Sequence, residues 1–374
     1  MVGGLIQNAR IDYAKNPLLV YWETTRACGL SCRHCRASAI PNAHPNELTT
    51  KEGMELLDSI ASFGNPLPHL VMTGGDPLKR PDLIPLILYA RKLGIGVSVT
   101  PAASPLLTKE ALADLKAAGV DSIALSLDAS TAERHDSIRQ VPGCFETTIK
   151  AAKWAAEVGL PLQINTLISE ETRDDFDNVY RLLHDFPVMR WSLFFLIAVG
   201  RGKQLNEMDP VEGEQLMHHI QELVPQAPFQ IKTTEAPSYR RVAHEQMIKD
   251  GMTAEQMGAT SVRRGYGIRD GNGIVFVSQM GEVFPSGFLP LEAGNVRLQS
   301  LVSIYRNSKV FQTVRNVDAF EGKCGYCEFR KICGGSRARA YAHTGNPAAS
   351  DPFCSYQPKT PAERVRAHEP AIVA

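Results

Sequence analysis

The sequence predicts an α/β protein: a partial (β/α)6, TIM-like barrel followed by a small C-terminal domain organised by metal. Short apolar runs alternate with longer amphipathic stretches between residues 19 and 205, which is the pattern of parallel strands covered on both faces. A long regular series of such units favours a barrel over an open sheet. Beyond the series, apolar runs are few and cysteines are concentrated, so we expect metal ligands to organise that part of the chain.

The composition indicates a globular protein without a charge-driven partner. The 374 residues are 44% hydrophobic and 21% charged, and 40 basic residues balance 40 acidic ones. Neither nucleic acid nor an anionic membrane is therefore favoured as a partner. No segment approaches the roughly 18 apolar residues of a membrane span, and the N-terminal sequence lacks the apolar core of a signal peptide. We expect a cytoplasmic protein whose cysteines bind metal, because disulfides do not persist in that compartment.

Six apolar or β-branched runs are the predicted strands of the barrel. The runs are LVYWETT (19–25), HLVMTGG (69–75), IGVSVTP (95–101), SIALSLDA (122–129), LQINTLI (162–168) and WSLFFLIA (191–198). Helical patterns such as those at 50–64 and 108–119 lie between them, with apolar residues at three- and four-residue steps. Thr50 and Thr108 are the predicted N-caps of these two helices.

The rest of the chain consists of segments with different sequence patterns. Residues 206–270 suggest helices without intervening strands, a hairpin joins strands at 274–278 and 282–286, and one helix is expected at 300–316. The predicted units are an N-terminal extension (1–18), the barrel (19–205), a helical bridging region (206–270), a cysteine-rich C-terminal domain (271–360) and a tail (361–374).

The first cysteine group, CGLSCRHC, follows the first predicted strand. Cys28, Cys32 and Cys35 have the spacing C-x3-C-x2-C, and loops at the carboxyl ends of parallel strands form the sites of such folds. Three thiolates leave one iron of a [4Fe–4S] cube open to an outside ligand. Zinc is the alternative, but a structural zinc site needs four ligands and only His34 is nearby.

This spacing after the first strand of a barrel resembles the radical S-adenosylmethionine (SAM) superfamily. The resemblance implies that the turn after the second strand, a GGDP with Asp for the usual Glu, binds the methionine moiety through its backbone. It further implies ribose and carboxylate contacts at the ends of the fourth and fifth strands, with Arg139 suited to the carboxylate, and an adenine contact after the sixth. The SAM-binding residues implied in this way are Gly74, Gly75, Asp76, Pro77, Ser126, Asp128, Arg139, Asn165 and Ala198.

The resemblance also implies a reaction. In the superfamily, a reduced [4Fe–4S] cluster binds SAM at its open iron and passes an electron to the sulfonium. The resulting 5′-deoxyadenosyl radical takes a hydrogen atom from the substrate. The protein's part is to place the substrate C–H bond and to exclude water.

The second cysteine group has the spacing C-x2-C-x5-C-x20-C. Its members are Cys324, Cys327, Cys333 and Cys354. The segment resembles the auxiliary-cluster part of SPASM domains, which implies a second [4Fe–4S] cluster with four protein ligands; a four-cysteine zinc site is the alternative. Ser286 stands where many SPASM proteins have a further cysteine, so we expect no second auxiliary cluster. The remaining cysteine, Cys144, is expected to be a small buried residue and not a ligand.

A more specific resemblance runs from about Val20 to Cys354. The segments YWETTRACGLSCRHCRASA, QINT, VGRGK, GNVR, KCGYCEFRKICGGSRARAYAHTG and DPFC are similar to those of radical enzymes that trim side chains of iron tetrapyrroles. The resemblance implies hydrogen abstraction from a propionate, with loss of carbon dioxide and one electron to leave a vinyl group.

Four basic residues are candidates for contacts with substrate carboxylates. For Arg337 and Arg339 a structural role in the cluster segment is the better interpretation, and Arg201 and Lys203, near the end of the sixth strand, are the better anchors. Asn346 replaces an Asp that is common in the family's TGD, so the substrate does not follow from the resemblance alone.

Two other functions stay open. SPASM domains are frequent in radical maturases of ribosomally made peptides, although only about 18 residues precede the first strand, too few for a peptide-recognition domain. A zinc-bound, non-catalytic barrel is the third hypothesis. For either enzyme we expect an electron donor such as a flavodoxin or a ferredoxin.

Overall fold

The computed structural model describes residues 11–360 and Glu363, so the first ten residues of the predicted extension and nearly all of the predicted tail, 361–374, lie outside the described residues. Six parallel strands form the barrel, and all six predicted runs are confirmed. The strands are β1 (Leu19–Thr25), β2 (His69–Gly74), β3 (Val97–Val99), β4 (Ser122–Ser126), β5 (Leu162–Ile168) and β6 (Val188–Phe195). Each pairs in parallel with the next along the chain.

Helices follow these strands and cover the outer face of the sheet. They are α1 (Thr50–Ala61), α2 (Leu83–Lys92), α3 (Lys109–Ala117), α4 (Ala132–Arg139), α5 (Cys144–Glu157) and α6 (Phe176–Leu182). Thr108 caps α3 as predicted. The predicted cap of α1 is wrong by one residue, because Thr49 and Glu52 form a capping box that satisfies two backbone N–H groups reciprocally.

The bridging region contains a strand that we did not predict. Between α7 (Pro210–Leu223) and α8 (Tyr239–Lys249), β7 (Gln230–Thr234) pairs in parallel with β6. Its sequence, QIKTT, has one strongly apolar residue, and none of its side chains is fully buried. The pattern therefore lacked the apolar signal of a covered strand. Two short helices, α9 (Ala254–Ala259) and α10 (Ser261–Arg264), complete the region.

The predicted hairpin is confirmed, and it extends the barrel sheet. β8 (Ile274–Val277) pairs in parallel with β1 and antiparallel with β9 (Glu282–Phe284), which pairs with β10 (Gly294–Asn295). The sheet order is β10-β9-β8-β1-β2-β3-β4-β5-β6-β7. Because β7 and β10 are the two edges of this order, the barrel is partial, as predicted.

The rest of the C-terminal region is helical. The predicted helix at 300–316 is two helices, α11 (Leu301–Asn307) and α12 (Lys309–Arg315), since Ser308 has extended backbone and caps α12 with its side chain. α13 (Gly322–Tyr326) and α14 (Arg337–Thr344) follow. Short 3-10 turns lie at Pro77–Lys79, Arg173–Asp175, Leu183–Asp185, Gly200–Gln204 and Val317–Ala319.

The two faces of the sheet have different surroundings. Trp22 of β1 and Trp191 of β6 are fully buried under the helices, and Trp191 stacks on Phe176 of α6 with ring centroids 4.9 Å apart. The opposite face carries polar residues along several strands, among them Glu23 and Asn165. The helices thus supply the core on the outer face and leave the inner face, the lumen, available for a site. No described helix is both long and apolar enough to cross a membrane.

Candidate active site

The first three cysteines lie in the loop that leaves β1. Cys28 N donates to Ile40 O (2.8 Å), which closes the loop on itself. From the segment after β6, the Arg201 guanidinium donates to Cys32 O (2.9 Å) and Ala39 O (3.1 Å). Arg201, expected to be a substrate anchor, therefore holds the cysteine loop in place and lines the cavity beside it.

The sulfur atoms of this loop accept hydrogen bonds from nearby donors. Leu30 N lies 3.3 Å from Cys28 Sγ, Ala39 N lies 3.4 Å from Cys35 Sγ, and Arg139 Nη1 lies 3.7 Å from Cys32 Sγ. These donors stabilise negative charge on sulfur. Burial nevertheless raises the pKa of the Cys28 thiol to about 11, so a bound metal would be needed to hold it as a thiolate near neutral pH.

A cavity of about 220 Å³ opens beside the cysteines at the carboxyl ends of the strands. The three cysteines share its wall with six of the nine residues implied for SAM. These six are Gly74, Gly75, Ser126, Asp128, Arg139 and Asn165. Asp76, Pro77 and Ala198 are not part of the wall; Ala198 lies one residue beyond Leu196 and Ile197, which do line it. Lys203, the other expected anchor, is exposed and does not reach the wall.

The two glycines after β2 permit a close approach to the cysteine loop. A Cβ at Gly74, where φ is +149°, would lie 2.3 Å from Thr25 O, and one at Gly75 would lie 2.4 Å from Ala27 O. The Gly75 and Asp76 N–H groups donate to these same two carbonyls, at 2.8 and 2.7 Å. Any side chain at either glycine would push the second turn away from the cysteines.

Asp76 has a structural place behind the cavity. Its fully buried carboxylate accepts from Ser104 Oγ (2.6 Å), Leu78 N (3.2 Å) and Ala102 N (3.3 Å). Burial raises its pKa. The side chain thus joins the turn after β2 to the turn after β3, and Pro77 begins the 3-10 turn that follows.

Three ionisable side chains meet on the cavity wall opposite the glycines. Arg139 Nη2 lies 2.7 Å from Asp128 Oδ2. The other carboxylate oxygen, Asp128 Oδ1, accepts a hydrogen bond from Leu167 N at 2.9 Å. Burial opposes ionisation of Asp128, but the charge of Arg139 holds its pKa below the usual value. Burial and Arg139 lower the pKa of His34 to about 4, so His34 is neutral at pH 7.

His34 is a wall residue that sequence reasoning weighed only as a zinc ligand. It stands between Cys32 and Cys35, and its Nε2 lies 4.0 Å from Asp128 Oδ2. Apolar wall residues were missed as well, among them Phe194 and Phe288. The only signal for His34 was its position inside the cysteine motif, and no local signal indicated that Phe288, from after β9, would reach the barrel mouth.

The second cysteine group surrounds a smaller cavity of about 20 Å³. Its wall includes all four predicted ligands, Cys324, Cys327, Cys333 and Cys354. Gly335 N donates to Cys333 Sγ at 3.3 Å and Asp351 N to Cys324 Sγ at 3.4 Å. Burial raises the pKa of Cys327 to about 12 and that of Cys354 to about 11, so this group also suits metal-bound sulfur better than free thiolate.

Zinc and an iron–sulfur cluster need different ligand spacings. Four thiolates on one zinc ion hold their sulfurs within roughly 4 Å of one another. In the part of the chain that the structure describes, no three His, Cys, Asp or Glu side chains are gathered around a single-ion position. The four cysteines of the second group nevertheless share the wall of one cavity.

Arg337 and Arg339 are fully buried and make structural contacts, in agreement with the preferred interpretation. Arg337 donates to Ala349 O (2.7 Å) and lies 3.7 Å from Cys324 Sγ. Arg339 donates to Leu196 O (2.9 Å) after β6 and pairs with Glu207 (3.1 Å). One arginine therefore supports the cysteine segment, and the other joins it to the barrel.

Neither of the two residues expected not to be ligands lines a cysteine cavity. Ser286 is buried and accepts from Phe288 N at 3.2 Å. Cys144 is 2% exposed and packs with Leu30 and Cys32 behind the first cysteine loop.

Comparison with known proteins defines the class. Residues 22–183 match the model of the radical SAM superfamily. The AdoMet-dependent heme synthase of Methanosarcina barkeri is 37% identical over 91% of this chain and 97% of its own length, and that of Oleidesulfovibrio alaskensis is 35% identical over 91% and 88%. The chain belongs to the radical SAM superfamily and, within it, to the family of the AdoMet-dependent heme synthases. It is a radical SAM enzyme, whose cofactors are SAM and a [4Fe–4S] cluster.

Solved structures agree on the fold. Streptococcus suis SuiB bound to its precursor peptide SuiA superimposes with a TM-score of 0.72, covering 91% of this chain and 76% of SuiB at 19% identity. At that identity the likeness shows the shared architecture alone, which confirms the predicted partial barrel.

Proposed function

We propose that the chain acts in haem-type cofactor biosynthesis and oxidatively decarboxylates propionate side chains of an iron tetrapyrrole such as iron coproporphyrin. The proposal is carried by the similarity to the heme synthases, which is 37% identity along nearly the whole chain, against 26% over the same share of the chain for a PqqA peptide cyclase of Bradyrhizobium diazoefficiens. The heme synthase similarity covers 91% of this chain and 97% of the Methanosarcina barkeri heme synthase, and so reaches far beyond the radical SAM match at 22–183. The similarity therefore includes the regions outside the radical domain, where enzymes of one superfamily differ in substrate.

Cys28, Cys32 and Cys35 would hold the radical-generating cluster and leave one iron for SAM. The adjoining cavity, with Ser126, Asp128, Arg139 and Asn165 in its wall, would hold SAM. When bound, this pair of cofactors supplies a 5′-deoxyadenosyl radical that takes hydrogen from the substrate. We expect Asp76, Pro77 and Ala198 to act from behind the wall by fixing the strand ends.

The chain's own residues orient the cofactors and exclude water. Arg201 and the hydrogen bonds to sulfur fix the cysteine loop. The Arg139–Asp128 pair offers both a cation and a carboxylate to one face of the cavity, and neutral His34 adds no net charge there. Phe194, Leu196 and Phe288 close the other side with apolar surface, which keeps stray hydrogen donors from a radical.

Cys324, Cys327, Cys333 and Cys354 would hold one auxiliary [4Fe–4S] cluster, with Ser286 leaving no ligand for a second. Conversion of a propionate to a vinyl group transfers one hydrogen atom, breaks the bond to the carboxylate carbon, and releases carbon dioxide and one electron. An electron acceptor is the chemistry that a cluster at these cysteines would supply. The zinc alternative offers no such acceptor, because zinc has no redox chemistry.

The setting of the reaction follows from the same chemistry. Radical generation needs one electron for each turnover, and a flavodoxin or a ferredoxin is the donor class that we propose. None of the eight cysteines forms a disulfide, which suits the reducing cytoplasm that we propose. We retain the division into barrel (19–205), bridging region (206–270) and cluster domain (271–360) as a functional one, although β7 and β8 continue the barrel sheet.

The test is a single anaerobic reaction. The reconstituted protein is mixed with dithionite, SAM and iron coproporphyrin III, and the products are separated by chromatography and mass spectrometry. We expect one 5′-deoxyadenosine for each porphyrin side chain that loses carbon dioxide and two hydrogens. Unchanged porphyrin with modification of a peptide would favour a maturase, and a protein that holds zinc without sulfide would refute both enzyme hypotheses.

The auxiliary site gives a separate prediction. We expect Cys327→Ala to retain some 5′-deoxyadenosine formation while forming little vinyl product, because hydrogen abstraction does not need the second cluster but the release of an electron does. The measurement is the ratio of 5′-deoxyadenosine to product, which rises well above one. A variant that kept the ratio at one would show that Cys327 has no part in the later half of the reaction.

A further inference from the structure

The strand register places a polar wall beneath the SAM cavity. Asn165 of β5, which lines the cavity, is paired with Ser192 of β6, and Ser192 is paired with Lys232 of β7. Residues directly opposite on neighbouring strands point to the same face. Lys232 therefore lies on the lumen side, level with Asn165 and two strands away, about 10 Å across the sheet.

A second row lies two residues deeper, about 7 Å farther from the carboxyl ends of the strands. Gln163 is paired with Arg190, and Arg190 is paired with Gln230. The contacts agree with the register, since Gln163 Nε2 donates to Asn165 Oδ1 at 2.8 Å and Arg190 Nη1 donates to Gln163 Oε1 at 3.3 Å. Arg190 thus faces the same lumen below Lys232.

These cations have no carboxylate partner among the described residues. Arg190 is bound by the amide oxygens of Gln163 and Gln230, and Lys232 forms no salt bridge within residues 11–360. Lys232 is exposed, and desolvation together with the charges of Arg190 and Arg240 lowers its pKa to about 8. Positive charge without a paired carboxylate attracts anions.

Aromatic residues also lie on the inner face of the sheet. Tyr21 of β1 is two residues from Glu23, which reaches Arg36 of the cavity wall at 3.0 Å, so Tyr21 is on the inner face. Phe276 of β8 is paired with Tyr21. Strand register places Arg190 on this face as well. The inner face thus carries aromatic residues on β1 and β8 and cations on β6 and β7.

We propose that Arg190 and Lys232 form the carboxylate-binding wall of the substrate chamber and hold propionates of a flat polycarboxylate macrocycle while another propionate meets the SAM cavity. This assignment rests on the proposed function and adds the residues that bind the negatively charged groups of the substrate. The amides of Gln163 and Gln230 fix the orientation of the Arg190 fork, whose paired donors match a carboxylate.

The proposal is tested by measuring the binding of iron coproporphyrin III to the anaerobic, cluster-loaded protein by absorbance titration. Loss of a charge-assisted contact weakens affinity by about 10- to 100-fold. We expect that loss for Arg190→Gln and for Lys232→Gln, with Lys232→Arg close to wild type because Arg keeps the charge. Lys153→Gln, an exposed lysine on α5, is the matched control and should leave the affinity unchanged. Iron and sulfide contents verify that each variant is folded and loaded.

The pH dependence of substrate affinity shows whether Lys232 contacts the substrate or only supports the fold. Lys232 is faced by Arg190 of β6 and Arg240 of α8, and Glu235, at the end of β7, has a pKa that burial raises to about 8. A substrate carboxylate favours charged Lys232, so wild-type affinity should be full below pH 8 and fall as the pH rises through 8. In Lys232→Arg that fall should vanish. If it persists, Glu235 repels the substrate and the role of Lys232 is overturned.

The outcomes also distinguish the inference from the proposed function. Suppose that the wild-type protein converts the porphyrin and that Arg190→Gln and Lys232→Gln bind it with unchanged affinity. The proposed carboxylate-binding role of these two residues would then be wrong, while the proposed function would still hold. A wild-type protein that neither binds nor converts the porphyrin would overturn the function itself, and with it this choice of ligand.

Discussion

Replacement of Cys32 by alanine is expected to reduce reductive cleavage of SAM to background. Cys32 would be one of three protein ligands of the open cluster, and its Sγ lies 3.7 Å from Arg139 Nη1 on the wall of the SAM cavity. Without it the cluster would lose one ligand, and the neighbouring Cys144 does not line the cavity from which it could be replaced. The measurement is 5′-deoxyadenosine formed with dithionite in the absence of substrate, together with iron and sulfide content.

Cys144 provides a control of the same residue type in the same place. It packs against Cys32 and Leu30 and is almost fully buried, but it does not line the cavity. Cys144→Ala should keep both the cluster and the cleavage activity, with a modest loss of stability of about 1 kcal/mol from the small cavity. Deoxyadenosine from the Cys32 variant, or its loss from the Cys144 variant, would contradict the ligand assignment.

Arg339→Ala is expected to cause the largest loss of stability, about 3–5 kcal/mol. The guanidinium is 1% exposed and donates to Leu196 O, Glu235 O and the Glu207 carboxylate, at 2.9, 2.8 and 3.1 Å. Alanine would leave these buried acceptors without a donor and would remove the cation from the ring of Phe353. Urea unfolding can be followed through tryptophan fluorescence, since Trp22 and Trp191 are fully buried.

Two further variants test the reason for this loss. Arg339→Lys keeps the charge but not the fork of donors, so it should recover only part of the stability. Arg264→Ala, at an exposed arginine of α10, should change the free energy of unfolding by less than about 0.5 kcal/mol. If Arg339→Ala unfolded like wild type, the contacts between α14 and the end of β6 would not hold the cysteine segment to the barrel.

Much of the site was predictable because its signals are local. The spacing of Cys28, Cys32 and Cys35 within one loop, and the paired glycines Gly74 and Gly75 after a strand, are patterns that few other structures require. The strands were readable for a similar reason, since a strand covered on one side by helices needs apolar residues at regular positions. β7 was not predicted because its inner face is polar and its outer face is only partly covered.

Other residues were misjudged because their partners are distant in sequence. The Asp76 carboxylate accepts a hydrogen bond from Ser104 Oγ (2.6 Å) and does not line the cavity. The Arg201 guanidinium donates to the Cys32 and Ala39 carbonyls. Both residues stand at positions that a motif or a strand end marked as functional. A charged side chain forms hydrogen bonds with the buried polar groups that the fold brings within reach, and a pattern of residue types does not show which groups those are.

The sequence alone indicated the class of enzyme and the parallel barrel, both of which are confirmed, and predicted seven cysteines as metal ligands, because these depend on residue type and on spacing along a short stretch of chain. The three-dimensional arrangement was needed to show which side chains share a wall, that β8 joins β1, and that Arg190 and Lys232 lie on one face of the sheet with no salt bridge to a described carboxylate. Strand register determines these proximities, and register depends on contacts between residues far apart in the chain.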